Sequence, residues 1–482
     1  MVPLVLATCA LVAGCATNPV TGDQDFVLLS EEQEIALGRD YHEQILKQYD
    51  VYDDDGLSAY VSRVGQRLAQ RSHRPDLDYT FTVLDDTAVN AFALPGGYVY
   101  ITRGILAYFN SEAEMAGVLG HELGHVTARH SVQQYSAATA SSILGTILLA
   151  RAGAGRAGAD LFQTVQLAAM RGYGRDQELQ ADRLGARYLA RAGYDPDEMI
   201  NVIGILADQE DYEVARAKEE GREPQVHHGA FATHPENDAR LQEVVQAAHG
   251  HEVDDPRPAG HAAYLHRIDG LTFGADTKQG VVDGARFLHR DLDVALAAPD
   301  GWTIDNRPDR VIFRAPDDAA ELVVGMKAVR SDASPRELLG ERLGDDRIAE
   351  GRALADSRFP GYTGVGIRQT AGGQRRVRHV LVRKDEQAWY FAGIVPGGEH
   401  FTRYDADFLD IARGLHALTA AERRRARPLH IELVAAQAGD TYETLARAVP
   451  DRLDDPVARL RLINGDYPDG EPAAGRLIKT LR

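Results

Sequence analysis

Cysteine is almost missing from this chain: there are two, Cys9 and Cys15, and both precede residue 16. No thiol stands where a fold could be cross-linked or a nucleophile placed, which excludes a disulfide scaffold and thiol-based acyl transfer. Basic charge is also short. Lys and Arg number 53 against 72 Asp and Glu, leaving a net charge of −19 that would be repelled by a phosphate backbone and excludes nucleic acid as a partner. Lysine is the rarer of the two basic residues, so the cations read as surface and ion-pair material. No run of 18 or more apolar residues occurs beyond the N-terminus, which excludes a polytopic membrane protein. No serine-hydrolase motif stands out. What remains is 482 residues, 44% hydrophobic and 26% charged, the composition of a globular chain with two or three domains.

Within that background one pentapeptide carries chemistry: His121-Glu122-Leu123-Gly124-His125. On a helix, residues four apart share a face about 6 Å apart along the axis, so two imidazoles there can hold one metal ion. Glu122 between them is placed to handle a metal-associated water. The surrounding sequence predicts that helix. Ser111 followed by Glu114 makes a capping-box start, and Met115, Val118, Leu119, Leu123 and Val126 recur at helical spacing. A catalytic zinc site needs a third protein ligand, and Glu178-Leu179-Gln180-Ala181-Asp182 offers one on a second helical stretch. Glu178 would ligate. Asp182, one turn later, would accept a hydrogen bond from a ligating imidazole and fix its tautomer. Outside this context the same two carboxylates would read as solvated helix charges.

The two motifs, together with Asn90-Ala91-Phe92-Ala93-Leu94-Pro95-Gly96-Gly97, resemble the gluzincin zinc metallopeptidases that include HtpX, the CAAX prenyl protease and periplasmic BepA. The resemblance covers roughly residues 20 to 250. It implies one zinc per chain held by His121, His125 and Glu178, with Glu122 as general base. It extends to Thr233-His234-Pro235 and Arg240. In periplasmic members the corresponding His can take the fourth zinc position, which makes His234 a candidate gate and Arg240 a candidate contact near the reacting centre. The alternative for His234 is a loop histidine before a proline. The resemblance also assigns peptide binding to the strand edge near Asn90 to Tyr100, where an ordinary core hairpin is the alternative.

Residues 1–14 are apolar and end in Val12-Ala13-Gly14 ahead of Cys15, which looks like a bacterial lipoprotein signal with Cys15 as the lipidated residue. Ala16 after the cysteine favours the outer membrane by the sorting pattern. No Lys or Arg precedes the apolar stretch, a departure that points to a start codon upstream. A short secretory signal with an incidental cysteine is the other reading. Acyl chains on Cys15 would hold the protein on a membrane surface.

Residues 15–30 then read as a polar tether. Residues 31–250 form a mainly helical zincin-type domain with a small edge-strand sheet: helices near 31–49 and 56–71, and β-rich runs at Tyr79–Leu84 and Tyr98–Thr102. Between the metal motifs, 137–172 is rich in small residues, with an apolar part too short to cross a bilayer. It reads as a helical lid or a membrane-touching hairpin, with a second core helix pair as the alternative. Asp254-Asp255-Pro256-Arg257-Pro258 marks a boundary. Residues 263–420 read as an α+β accessory domain without a catalytic motif. Residues 428–482 resemble a LysM module, βααβ in order, through Ala438-Gly439-Asp440-Thr441 and Leu462-Ile463-Asn464-Gly465. That resemblance implies peptidoglycan as a partner, with a structural role as the alternative.

The overall expectation is an α+β, lipid-anchored zinc endopeptidase on the periplasmic side of the outer membrane of a Gram-negative bacterium. Its substrates would be unfolded or misassembled envelope proteins, and its work protein quality control or outer-membrane protein assembly. The alternative is a latent zincin scaffold serving as a chaperone or peptidoglycan-binding lipoprotein.

Overall fold

The computed structural model describes residues 15–151, 173–220, 224, 257–307, 310–329, 333–344, 348–370, 373–396 and 401–482. The fold is α+β and divides into two compact units. The first runs to Phe273 and takes in His430–Val449 and Asp455–Arg482. The second holds Gly274–Leu429 with Pro450–Asp454.

The first unit opens with a strand pair, β1 (Cys15–Thr17) against β2 (Gln24–Phe26). Residues 15–30, expected to be a polar tether, thus carry a short hydrogen-bonded strand pair. Asn18 is the reason: its Oδ1 accepts from the backbone N–H groups of Val20 and Thr21 at 2.8 and 3.2 Å, closing a turn that local side-chain hydrogen bonds stabilise. Helix α1 (Glu31–Gln48) starts at a Ser30/Gln33 capping box, and α2 (Asp55–Ala69) starts where Asp54 accepts from Leu57 N. A three-stranded sheet follows, made of β3 (Thr80–Leu84), β4 (Ala91–Leu94) and β5 (Tyr98–Thr102). β5 lies in the middle, parallel to β3 and antiparallel to β4, so β4 is an edge strand. The β4–β5 connection passes through Gly96 and Gly97 at φ +77° and +95°, left-handed positions that glycine takes without strain.

A short α3 (Arg103–Leu106) leads into α4 (Glu112–Thr127), which is buried along almost its whole length. α5 (His130–Arg151), α6 (Arg175–Ala192), α7 (Glu198–Glu220) and α8 (His261–Ile268) complete the helical part. Arg175–Ala192 stops where Gly193 turns left-handed at φ +85°. The chain then enters β6 (Thr272–Phe273).

The second unit has a small antiparallel sheet of β7 (Val281–Asp283), β8 (Arg286–His289) and β9 (Val294–Ala297). Beside it stands a seven-stranded antiparallel sheet of β10 (Thr303–Arg307), β11 (Arg310–Arg314), β12 (Glu321–Ala328), β13 (Ala349–Ala353), β14 (Gly361–Thr370), β15 (Gly373–Lys384) and β16 (Gln387–Ile394). Its order is β10-β11-β12-β16-β15-β14-β13. Helices α9 (Pro335–Leu343), α10 (Phe401–Arg413) and α11 (Ala420–Arg425) accompany it. Phe391, Phe313 and Phe408 share one apolar core, and buried Arg378 grips Asp405 through two bonds of 2.6 and 2.7 Å.

The C-terminal stretch runs β17 (Leu429–Ala435), α12 (Tyr442–Ala446), α13 (Pro456–Asn464) and β18 (Leu477–Leu481), a βααβ order. It does not stand apart from the helical part. β17 pairs with both β18 and β6, and nearly all of the stretch belongs to the first unit. Among the described residues no helix is long and apolar enough to cross a membrane.

Candidate metal centre

The centre forms where α4 crosses α6. The crossing is close because glycines face it. A methyl group on Gly120 would lie 3.3 Å from Gly185 Cα, and one on Gly124 only 2.9 Å from Ala181 O. Backbone therefore meets backbone, and Glu178 on α6 reaches the two histidines of α4. His121 Nε2 and His125 Nε2 are 3.0 Å apart, and each lies 3.5 Å from a carboxylate oxygen of Glu178. Nitrogen and oxygen ligands at about 2.0–2.2 Å from a tetrahedral zinc stand roughly 3.3 Å from one another, so this donor set fits zinc. It is the sole such cluster of His, Cys, Asp and Glu among the described residues. His121, His125 and Glu178 are all buried, as is Glu122 between the two histidines.

The tautomers follow from the partners. Asp182 Oδ1 lies 2.7 Å from His121 Nδ1, so the carboxylate holds the proton there and Nε2 presents its lone pair to the metal. His125 is served by a longer relay. Its Nδ1 lies 2.9 Å from His130 Nδ1, and His130 Nε2 lies 2.9 Å from Gln180 Oε1. Gln180 Oε1 can only accept, so His130 carries its proton on Nε2 and offers Nδ1 as acceptor to His125 Nδ1–H. Nε2 of His125 is then the ligating nitrogen. Burial pushes the His130 pKa down to about 4, keeping it neutral as the relay requires. Tyr173 stacks on the His125 ring at 3.8 Å between centroids and meets Ser131 Oγ at 2.7 Å. Burial raises its phenol well above the usual value, so it too is neutral.

The structure thus brings together His121, Glu122, His125, Glu178 and Asp182, as the sequence spacing implies. His130, Gln180 and Tyr173 were not singled out from the sequence. His130 is a fifth residue after His125, beyond a left-handed Arg129 at φ +58°, and no helical periodicity points to it. His234 and Arg240 lie outside the described residues. α4 also packs against the edge strand β4, which brings an extended backbone alongside the metal helix.

The zinc helix is anchored at its C-terminal end by buried charge. Arg74 donates to Val126 O at 3.3 Å and to Glu34 at 2.7 Å, while Arg129 donates to the other oxygen of Glu34 at 2.8 Å. Cations at that end also suit the helix dipole.

Comparison with known proteins agrees with this geometry. Residues 57–248 match the profile of peptidase family M48. The chain is 31% identical over 293 residues to the beta-barrel assembly-enhancing protease of Yersinia pestis, covering 56% of this chain and 57% of that one. It is 31% identical over 240 residues to the protein of the same name in Escherichia coli, covering 48% and 47%. A mitochondrial metalloendopeptidase of Arabidopsis thaliana is 33% identical over 151 residues, covering 31% and 30%. The chain spans about half the length of the curated relatives it matches. The family match covers both metal-bearing helices, and with the His-His-Glu donor set at zinc-compatible spacing it makes residues 57–248 a zinc metallopeptidase domain of the peptidase family M48 type.

Proposed function

We propose that the protein is a lipid-anchored periplasmic zinc endopeptidase that cleaves unfolded or misassembled envelope proteins. The observation that carries the reading is the convergence of His121, His125 and Glu178 within 4.8 Å, with Glu122 one residue from the first ligand. Zinc in this donor set would supply a Lewis acid for the scissile carbonyl and make a water easier to deprotonate. Glu122 takes the proton of that water and later delivers it to the departing amine. Asp182 and the His130–Gln180 relay hold both imidazoles in the ligating tautomer throughout. The outer edge of β4 pairs with no other strand among the described residues, and the reading assigns the extended substrate peptide to that edge. Pairing of that kind is tolerant of sequence, which suits unfolded clients.

The envelope setting rests on two supports. The relatives from Yersinia pestis and Escherichia coli are named for beta-barrel assembly, and Val12–Cys15 has the form of a lipidation site for the outer membrane. Peptidoglycan as a further partner rests on the LysM-like sequence cues and on the βααβ order of the C-terminal stretch.

Glu122→Gln tests the mechanism. The variant keeps a full zinc content by elemental analysis and loses casein cleavage by ~10²–10⁴-fold. Glu178→Ala loses zinc instead. Undiminished cleavage by Glu122→Gln, or full zinc in Glu178→Ala, would overturn the assignment.

A further inference from the structure

The segment that feeds the zinc helix, residues 106–110, is held in an unusual way. Leu106, Ala107, Tyr108 and Phe109 are buried, and four carbonyls in this short stretch take donors from side chains outside it. Tyr264 Oη donates to Leu106 O at 2.6 Å. Lys479 Nζ donates to both Ala107 O and Phe109 O at 2.8 Å. His261 Nδ1 lies 2.9 Å from Asn110 O, which can only accept. The next residue, Ser111, caps the zinc helix by accepting from Glu114 N at 2.9 Å, and Glu114 in turn accepts from Asn110 N at 2.5 Å. None of the three donor residues lies within 57–248, the span of the family match.

Lys479 is the most telling of them. It sits in the middle of β18, a strand position where lysine normally reaches solvent, yet it is fully buried. Burying an ammonium group is costly unless its donors are used. Here two of its three hydrogens are committed to the entry segment of the zinc helix. The strand that carries it is itself fixed: Lys479 N donates to Asn464 Oδ1, and Asn464 Nδ2 donates to Lys479 O, both at 2.8 Å. Arg476 ties the same turn together through Asn464 O and Asp466, and Tyr442 Oη reaches Asp466 as well. Charged groups facing the ammonium are Glu114, Arg476 and Asp466.

We propose that Lys479 is a positioning residue of the metal centre. By holding Ala107 O and Phe109 O it sets where the zinc helix begins, and the C-terminal stretch is part of the peptidase machinery rather than a detachable module. A helix transmits such an anchor as a rigid rod. His121 and His125 ride on α4, whereas Glu178 rides on α6, so an axial slip of α4 shifts two ligands against the third. A misplacement of about 1 Å can cost ~10²-fold in rate. The rate readout rests on the peptidase reading above, so the test also includes one that does not.

The test uses the full-length protein carrying Lys479→Met or His261→Ala. His261 is exposed, so its variant is expected to fold whatever becomes of the first. Each is loaded with zinc for casein cleavage and with cobalt for visible absorption, and release of metal to a chelator is timed. For Lys479→Met we expect kcat lowered about 10–10²-fold at unchanged KM, altered cobalt bands and metal release roughly tenfold faster. His261→Ala should shift the same readouts in the same direction by a few-fold. Cobalt spectra and release rates equal to wild type in both variants would overturn the proposal. If Lys479→Met does not fold, His261→Ala decides alone: faster release supports the clamp and an unchanged rate refutes it. If wild-type protein cleaves nothing, the peptidase reading fails while the cobalt spectra still judge the clamp.

Discussion

Gly124→Ala separates metal-site geometry from overall stability. The added methyl would lie 2.9 Å from Ala181 O, 3.0 Å from Ala181 Cα and 3.2 Å from Leu184 Cβ, so it meets backbone that cannot swing aside. Carbon contacts settle near 3.5 Å, which asks α6 to retreat by about half an ångström. Overpacking of this kind costs ~1–3 kcal/mol. Replacing glycine by alanine inside a helix returns ~0.5–1 kcal/mol. The net loss of stability is therefore about 0–2.5 kcal/mol, small enough for the protein to remain folded. The metal centre has no such compensation. Ala181 lies between Glu178 and Asp182 on α6, so both move with it, and metal–ligand distances tolerate only about ±0.2 Å.

The expected outcome is a modest fall in melting temperature with zinc affinity and turnover each down about 10–10²-fold. Chelator competition measures the first, and casein cleavage by zinc-saturated protein the second. Gly117→Ala is the control, because its methyl would meet Val202 Cγ2 at 3.1 Å and Met199 Sδ at 3.2 Å, which are movable side-chain ends. That variant should keep its zinc and melt no lower than wild type. If Gly124→Ala binds zinc as tightly as wild type and cleaves at the same rate, the close helix crossing does not set the ligand geometry.

What the sequence made legible was the part of the site that follows helix geometry. His121 and His125 share a face because they are four apart, and Glu178 and Asp182 do so for the same reason. Ser111 marked the helix start correctly, although Glu114 spends its carboxylate on Asn110 N rather than on the cap itself. What stayed hidden depends on tertiary return of the chain. His130 reaches His125 only after a left-handed residue breaks the helix, and Tyr173 arrives from 48 residues beyond the second ligand. Lys479 was hidden for a different reason. In Leu477-Ile478-Lys479-Thr480-Leu481 a lysine reads as the solvent face of a strand, and its burial is imposed by carbonyls some 370 residues earlier. Asn18-Pro19 and Thr21-Gly22 carry turn residues, but composition alone cannot distinguish a turn that closes a strand pair from one in a tether.

Three further predictions concern single carboxylates, one beside the metal ligands and two elsewhere. Asp182→Asn should weaken zinc binding ~10–100-fold in chelator competition while leaving the fold intact, because the imidazole of His121 loses its anionic partner; unaltered affinity would refute that role. Glu34→Ala should destabilise the protein by ~3–5 kcal/mol in urea unfolding, since Arg74 and Arg129 would remain as buried cations around the gap, and a loss below about 1 kcal/mol would show that water replaces the carboxylate. Asp208→Asn tests the pH dependence of stability. Burial, with repulsion from Asp211, pushes the Asp208 carboxyl up to about 6 from 3.8. Between those two values the native state keeps a proton that the unfolded chain has released, so its contribution is present below pH 3.8 and is lost as pH rises through about 6. Asparagine carries no proton to lose. Melting of the metal-free variant should therefore rise above metal-free wild type at about pH 7.5 and match it near pH 3.5. Asp208 is only about half buried, so solvent screening keeps the shift small. An equal increment at both pH values would point to packing rather than charge, and no increment at either would mean that the carboxylate is fully solvated in the native state.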